Sequence, residues 1–370
     1  KLNDKFEIHD LSKIVNPTWS KAFKSKKYEK VKSFNSIKEW ELYFKNLSKK
    51  NKNLITYNLL DINSFKSLIV QIKLKKYCKK IIRNDDPGIP NFEVEFKNSF
   101  SWNIFKIKII KVLKSPKSLL FFLKRKFLIL LLKTVNFEKI IFLYHGKKKN
   151  FFSYLKSKKK IFINIHTPDY SRLIYSKNKK SKLKKPIGIF LDGPGPYFQN
   201  DWDLFQNKIN YDVQKWYNDL NKFLFKLEDL YSCKILIIPH PKAKGLKNPY
   251  YGKKFRVCHD LDAVHKQIPQ SKFVISIAGS TAVALACVCK IPSVLIYNNQ
   301  LKKFNPRFLN EIEFLSKQFG SSLININKNY DDYLKPVNKK NCEKILYNYL
   351  TSKNISNKKN YQIFNKILSL

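Results

Sequence analysis

The second half of the chain alternates short apolar runs with longer segments in which apolar residues recur every three or four positions. Such runs predict buried strands, and the periodic segments predict helices. The predicted strands cover residues 187–191, 234–238, 255–258, 273–277 and 293–297, and the predicted helices cover 211–231, 261–267 and 280–289. Buried strands separated by helices indicate a parallel sheet with helices on both faces.

The first half of the chain shows this pattern less regularly. Strands are predicted at 54–58, 139–144 and 161–165, and C-terminal helices at 305–318, 341–350 and 361–368. We therefore predict an α/β protein with two Rossmann-like domains that face a cleft, closed by the C-terminal helices. The predicted units are a basic domain at 1–185 that ends in a Lys-rich linker, a ligand-binding domain at 186–335, and helices at 336–370.

The charge of the chain is unusual. Of 370 residues, 73 are Lys or Arg and 27 are Asp or Glu, which gives a formal net charge of +46, while a hydrophobic fraction of 44% excludes a disordered chain. Codon bias explains part of the Lys excess, since Lys, Asn and Ile are abundant together. Residues 101–185 nevertheless contain 24 basic and only two acidic residues. This asymmetry predicts an anionic partner: a phosphorylated substrate, an acidic membrane surface or nucleic acid.

Residues 118–133 read SLLFFLKRKFLILLLK, and their longest unbroken apolar run is 127–132. That run is far shorter than the roughly 20 residues a membrane-spanning helix needs. Two interpretations stay open. The segment is either a buried helix whose Lys side chains reach outward, or a helix that lies on a membrane with its Lys and Arg residues facing lipid phosphates.

The six Cys residues are too few for a disulfide framework in so long a chain, so free thiols are expected. No zinc-binding spacing is present, and Cys287 and Cys289 lie in an apolar helical segment that favours a core role. Neither a metal nor another cofactor is predicted. No secretory signal pattern is recognisable, which favours the cytoplasm, with peripheral attachment to the inner membrane as an extension of that prediction.

Side chains that could carry chemistry follow four predicted strands, at the end where open parallel sheets bind ligands. They are His166 and Asp169; Asp192, Gly193 and Gly195; His240, Pro241 and Lys242; and Gly279, Ser280 and Thr281. The last group opens a helix, so its N–H groups, hydroxyls and helix dipole suit a phosphate, unless Ser280 serves only as the helix cap.

The other strand-end residues each have two interpretations. His240 is flanked by prolines that restrict its backbone, so its ring either donates to a phosphate or has a structural role. Asp192 is either a general base or a turn residue that binds its own backbone. His166 and Asp169 either form an acid–base pair or brace their loop. No Walker A loop, Rossmann glycine fingerprint or nucleophile elbow is present.

Four motifs between Gly188 and Gln300 match, in order, those of bacterial surface-carbohydrate biosynthesis proteins. They read IFLDGPGPYFQND, IIPHPKA, NPYYGKK and SKFVISIAGSTAVALACVCKIPSVLIYNN, and the upstream FINIHTPDYSRLIYS resembles the segment before that core. The chain thus resembles cytoplasmic glycosyltransferase-like enzymes of GT-B architecture. Its His-Pro and Ser-Thr pairs are also similar to the donor site of bacterial sialyltransferases and Kdo transferases.

The resemblance implies that His240 binds the donor phosphate of a CMP-linked sugar and that Ser280 and Thr281 complete the cradle. The implied donor site also includes Gly193, Gly195, Pro241, Lys242 and Gly279. Those sialyltransferases carry their acidic base in the N-terminal domain, whereas Asp192 lies only 48 residues before His240. Asp192, His166 and Asp169 therefore all stay candidates for the base.

The leading prediction is a metal-independent glycosyltransferase that transfers a nonulosonic acid or Kdo-like sugar from a CMP donor to a surface glycan. The basic first half suits an anionic, lipid-linked acceptor. One alternative transfers a polyol phosphate from a CDP donor, as in teichoic-acid synthesis. A second is a non-catalytic nucleic-acid binder that uses the basic half, and the lack of any nucleic-acid-binding motif makes it the weaker alternative.

Overall fold

The structure is a computed structural model and describes residues 6–17, 30–51, 54–60, 64–84, 88–90, 116–147, 155–176, 186–193, 195–197, 211–243, 247–252, 254–260, 262–330 and 332–369. The strands are β1 (Ile8–Asp10), β2 (Val31–Ser33), β3 (Ile55–Tyr57), β4 (Lys80–Asn84), β5 (Asn136–His145), β6 (Lys156–Ile165), β7 (Ile187–Asp192), β8 (Lys234–Pro239), β9 (Arg256–Val257), β10 (Phe273–Ser276), β11 (Ser293–Tyr297) and β12 (Ser322–Asn325). All of the recorded strand pairs are parallel.

Helices connect most of these strands. They are α1 (Ser12–Val15), α2 (Ile37–Lys50), α3 (Phe65–Tyr77), α4 (Pro116–Thr134), α5 (Pro168–Ser176), α6 (Val213–Leu230), α7 (Ala263–Gln267), α8 (Thr281–Val288), α9 (Asn299–Phe304), α10 (Pro306–Phe319), α11 (Lys339–Ile345) and α12 (Asn360–Ser369). Polar caps set several starts: the Asp212 side chain accepts from the Lys215 N–H before α6, and Asn305 accepts from Phe308 before α10. Gly320, in the left-handed region at φ 67°, ends α10.

The C-terminal domain is a six-stranded sheet in the order β12-β11-β10-β7-β8-β9. Counted from β7 as the first strand, this is the Rossmann order, in which the chain fills one side of β7 and then returns to fill the other. The central register places Ile189 of β7 between Val274 of β10 and Leu236 of β8. The strand order therefore reverses between β7 and β10.

The N-terminal domain has a four-stranded sheet in the order β3-β4-β5-β6, and β1 and β2 form a separate pair. Here the strands follow one another in chain order, so the described strands contain no reversal of this kind. The predicted α/β class with two parallel-sheet domains is confirmed, and the C-terminal domain carries the crevice that a reversal creates.

Two helices cross between the domains. Leu173 of α5 is fully buried in the core of the C-terminal domain, although α5 follows the last strand of the N-terminal sheet. In the other direction, α12 packs Ile363 and Ile367 against Ile82 and Ile141 of the N-terminal sheet. The chain end thus returns to the first domain, in agreement with the prediction that C-terminal helices close the structure.

Helix α4 buries Leu128 and Leu132 but leaves Leu120, Leu123, Phe127 and Leu130 exposed. The interpretation of residues 118–133 as a buried helix therefore holds for only one face of α4. Within the described ranges, every helix is too short or too polar to cross a membrane.

The strands β7 to β11 were predicted within about two residues, whereas the first half differs more. β6 begins at Lys156, before the predicted start at residue 161. It is an edge strand, and its first half exposes Lys158, Lys159 and Lys160, so this half contains no apolar run from which a strand could be predicted. β1, β2, β4 and β12 were not predicted. The linker expected at 177–185 and part of the IFLDGPGPYFQND motif lie outside the described residues.

Candidate active site at the strand-order reversal

The carboxyl ends of β7 and β10 form the centre of the candidate site. Asp192 is the last residue of β7, and Gly279, Ser280 and Thr281 follow β10 and lead into α8. The two loops touch: a Cβ on Gly193 would lie 3.8 Å from the Ala278 Cβ. In open α/β sheets, the helices that follow the two strands at such a reversal leave to opposite faces, and ligands bind in the crevice between them.

Asp192 lies in an environment that disfavours its charge. The residue keeps part of its surface exposed, but its carboxyl faces the phenols of Tyr217 and Tyr251. Burial raises the pKa of Asp192 to about 7, and the Tyr251 hydroxyl offsets this only in part. A carboxyl with such a pKa can exchange a proton near neutral pH, as a general base must.

Four tyrosines form a wall next to Asp192, in which Tyr217 and Tyr251 are buried and Tyr197 and Tyr250 reach the surface. The rings of Tyr217 and Tyr250 are stacked, 4.8 Å apart and 6° from parallel, and Tyr197 and Tyr251 meet them edge-on. Gly195 belongs to the same wall, since a Cβ there would lie 3.4 Å from the Tyr217 hydroxyl. Tyr217 was missed in the sequence analysis because it lies inside an amphipathic helix, where an aromatic residue is indistinguishable from core.

His240 follows β8, which pairs with β7 on the side opposite β10. Its backbone N–H donates to the Asp192 carbonyl at 2.9 Å, which fixes the start of the 3₁₀ turn Pro241–Ala243. The residue borders a small hollow on the β9 side, which it shares with Pro241, Cys258 and His259. The side chain of Lys242 lies outside the described part of the structure.

The start of α8 keeps part of the predicted anion site open. The Ser280 side chain accepts from the Val283 N–H at 3.4 Å, so Ser280 caps the helix, while residues 278–282 keep partial exposure. Gly279 is required for packing, because a Cβ there would lie 2.1 Å from Leu315 Cδ1. Capping leaves the Ser280 hydroxyl hydrogen and the first N–H groups of the helix for a ligand.

Asp169 joins the two domains at the same helix start. Its carboxylate accepts from the Thr281 hydroxyl and lies 3.1 Å from His265 Nε2. Burial alone would raise the pKa of Asp169, but the hydrogen bonds from His265 and Thr281 outweigh it and hold the pKa below its ordinary value. A carboxylate held in the charged form by two donors suits a structural anchor better than a base.

His166 is enclosed by the C-terminal segment. The residue is fully buried, its Nδ1 lies 2.7 Å from the Thr351 hydroxyl, and its Nε2 lies 2.6 Å from the Lys358 carbonyl. Its backbone is paired with the Asn360 side chain. Burial lowers the pKa of His166, so the neutral ring holds the chain end in place. The structure therefore does not bring His166 together with Asp192 and the α8 start.

Among the described residues, no group of three or more His, Cys, Asp or Glu side chains is placed to hold a metal ion. All six Cys are free thiols, and Cys287 is buried in the core against Cys342, as the core role predicted for it requires.

No protein-family model and no curated protein matches this chain. Among solved structures, it is similar to a UDP-N-acetylglucosamine 2-epimerase from Rickettsia bellii, with 13% identity, a TM-score of 0.37, and coverage of 98% of this chain and 88% of that one. It is also similar to the glycosyltransferase SnogD from Streptomyces nogalater, with 8% identity, a TM-score of 0.38, and coverage of 97% and 81%. With TM-scores and identities this low, these similarities do not establish an activity.

Proposed function

We propose that the protein is a glycosyltransferase whose nucleotide-sugar donor binds in the crevice between β7 and β10. The observation that carries the proposal is the pairing, at the strand-order reversal, of a carboxyl with a pKa near 7 and a helix start that offers N–H groups to an anion. A base poised near neutral pH and a phosphate cradle are the two parts that metal-independent glycosyl transfer requires.

In the proposed reaction, Asp192 removes the proton from an acceptor hydroxyl as the hydroxyl oxygen attacks the anomeric carbon of the donor sugar. The bond between that carbon and the donor phosphate oxygen breaks, and the nucleotide leaves with the electron pair. The N–H groups at the start of α8, the Ser280 hydroxyl and His240 stabilise the charge on the leaving phosphate. Gly193 and Gly195 let the β7 loop approach the donor closely, and the partly exposed Tyr250, stacked on the buried Tyr217, faces the acceptor.

Donor and acceptor follow from the resemblance of the motifs. We assign the donor as a CMP-linked nonulosonic acid or Kdo-like sugar, with His240 and Pro241 at its phosphate. The acceptor is a glycan of a bacterial surface polysaccharide, carried by a lipid at the cytoplasmic face of the inner membrane. Asp169 and His166 act in this proposal as positioning residues: Asp169 is held by Thr281 and His265, and His166 is held by residues of the C-terminal segment.

A thermal-shift screen with CMP, CDP, UDP, GDP and their sugars tests the proposal, because a ligand that binds only the folded state raises its melting temperature. We expect a shift with CMP and CMP-sugars that is reduced in the Ser280→Ala and His240→Ala variants. Calorimetry on the same variants should show at least tenfold weaker donor binding. Unchanged donor binding in both variants would contradict the proposed cradle.

Other outcomes of the screen separate the alternatives. A shift with UDP or GDP alone would keep the transferase and replace its donor. Phosphorus in the transferred product would indicate a CDP-polyol phosphotransferase. No shift with any nucleotide, together with stabilisation by DNA or RNA that weakens steeply with salt, would favour the nucleic-acid binder.

A further inference from the structure

Helix α4 has two apolar stripes, and the core uses only one of them. Leu128 and Leu132 are buried, whereas Leu120, Leu123, Phe127 and Leu130 are between 50% and 69% exposed. Their spacing of three, four and three residues places these four side chains on one side of the helix. The second stripe therefore faces away from the protein.

Helix α3 extends this surface. Phe65, Ile69 and Ile72 are exposed and recur at helical spacing, so they also share a side. The rings of Phe65 and Phe127 meet edge-on at 6.4 Å, which joins the two stripes. We call these seven exposed side chains the α3–α4 face. A continuous apolar surface of this kind marks an interaction site rather than ordinary scattered exposure.

The charged residues of α3 and α4 themselves all have one sign, although Glu41 of α2 pairs with Lys73 at 2.7 Å. Together, α3 and α4 contain nine Lys or Arg residues and no Asp or Glu. Lys124 lies over the Phe65 ring at 5.7 Å, and Lys126 and Lys133 are exposed beside the apolar stripe of α4. Leucine and phenylalanine side chains bordered mainly by cations are complementary to acyl chains beneath anionic headgroups.

Other occupants complement this surface less well. A second copy of the chain, docked through the same face, would place the cations that border the face in each copy against one another. Nucleic acid would pair with the Lys side chains but would leave the Leu and Ile side chains in water.

We propose that the α3–α4 face inserts into the surface of a membrane that contains anionic phospholipids. The apolar side chains enter the boundary between headgroups and acyl chains, and the flanking Lys and Arg side chains meet the phosphates. The inference rests on these two helices alone, so it stands independently of the proposed transferase reaction.

Co-sedimentation of the full chain with vesicles tests the inference. We expect binding to vesicles of phosphatidylcholine with phosphatidylglycerol, and binding at least about tenfold weaker to phosphatidylcholine alone. The double variant Phe127→Ser/Leu130→Ser should lose about tenfold or more in partitioning. The matched control is Leu230→Ser/Phe304→Ser, which removes two comparably exposed apolar side chains from the C-terminal domain and should bind as the wild type does.

Circular dichroism should show that both double variants stay folded, since all four residues are exposed. The inference is overturned if the full chain does not bind the anionic vesicles, or if both double variants lose binding equally. It is also overturned if light scattering shows a dimer that the Phe127→Ser/Leu130→Ser variant converts to a monomer, because the face would then serve self-association.

Discussion

Asp192 is a residue whose proposed role works against the stability of the fold. Its pKa in the unfolded chain is near 3.8 and rises to about 7 in the folded protein. Between these values the folded state holds a proton that the unfolded state has lost, so folding stability decreases as pH rises through this range. Above about pH 7 the full cost of the buried charge is present.

We therefore predict that Asp192→Asn stabilises the protein at about pH 8, on the order of 1 kcal/mol or more, and leaves stability unchanged below the unfolded pKa. The same variant should transfer sugar about 100- to 10,000-fold more slowly while still binding the donor. Urea unfolding across pH and initial rates measure the two effects. Asp212→Asn is the control, because Asn caps α6 as well as Asp does. Lower stability of Asp192→Asn at high pH would contradict the assignment.

Asp169 changes folding stability with pH in the opposite direction to Asp192. Its hydrogen bonds hold the folded pKa below the ordinary 3.8, so the carboxylate contributes stability above that value and loses it as pH falls through the folded pKa. Asp169→Asn should lower the melting temperature at neutral pH, and this difference should shrink in acid. A double-mutant cycle with Thr281→Val should give a coupling of about 0.5–3 kcal/mol, because the two side chains are bonded across the domains. Strict additivity would contradict the contact.

At the scale of elements, the turn from β10 into α8 depends on Gly279. An Ala Cβ at this position would lie 2.1 Å from Leu315 Cδ1 and 3.0 Å from Cγ, so the buried Leu315 must move. We predict that Gly279→Ala destabilises the protein by about 1–3 kcal/mol and weakens donor binding, since the start of α8 shifts with it.

Two further variants isolate that effect. Gly193→Ala brings a Cβ only to 3.8 Å from Ala278, an ordinary contact, so its stability should stay close to that of the wild type. Adding Leu315→Ala to Gly279→Ala should recover part of the cost of the glycine substitution. Chemical denaturation of Gly193→Ala, Gly279→Ala and the Gly279→Ala/Leu315→Ala double variant measures the free energy of unfolding of each. Equal costs for Gly279→Ala and Gly193→Ala would show that the clash with Leu315 is absent.

Which elements could be predicted from sequence follows from their burial. The second half was predicted well because β7, β8, β10 and β11 are central strands with continuous apolar runs. Short or polar edge strands such as β12 and the start of β6 lack that signal. Asp192 and the start of α8 could be predicted as site residues because each follows a buried strand that the sequence shows clearly. The contacts of His166 with residues 351–360 span nearly 200 positions, so no local pattern encodes them.

At the scale of the whole molecule, the chain fastens its two domains by exchanging helices. α5 leaves the N-terminal sheet to pack on the C-terminal core, and α12 returns from the C-terminal domain to the N-terminal sheet. The basic N-terminal domain and the C-terminal domain are therefore held together at two places. In the two proposals taken together, the membrane-binding face and the donor site lie in different domains that these two helices join.

The return of α12 can be tested at Ile367, which is fully buried against Ile82 and Ile141. Ile367→Ala should cost about 2–4 kcal/mol, because it removes buried methyl groups and leaves a cavity. Amide exchange should speed up in β4, β5 and α12 more than in β10 and β11, since the lost contacts belong to the N-terminal sheet. Asn365→Ala, exposed on the same helix, should stay within about 0.5 kcal/mol of the wild type. Faster exchange confined to α12 would mean that the helix rests on the first domain without stabilising it.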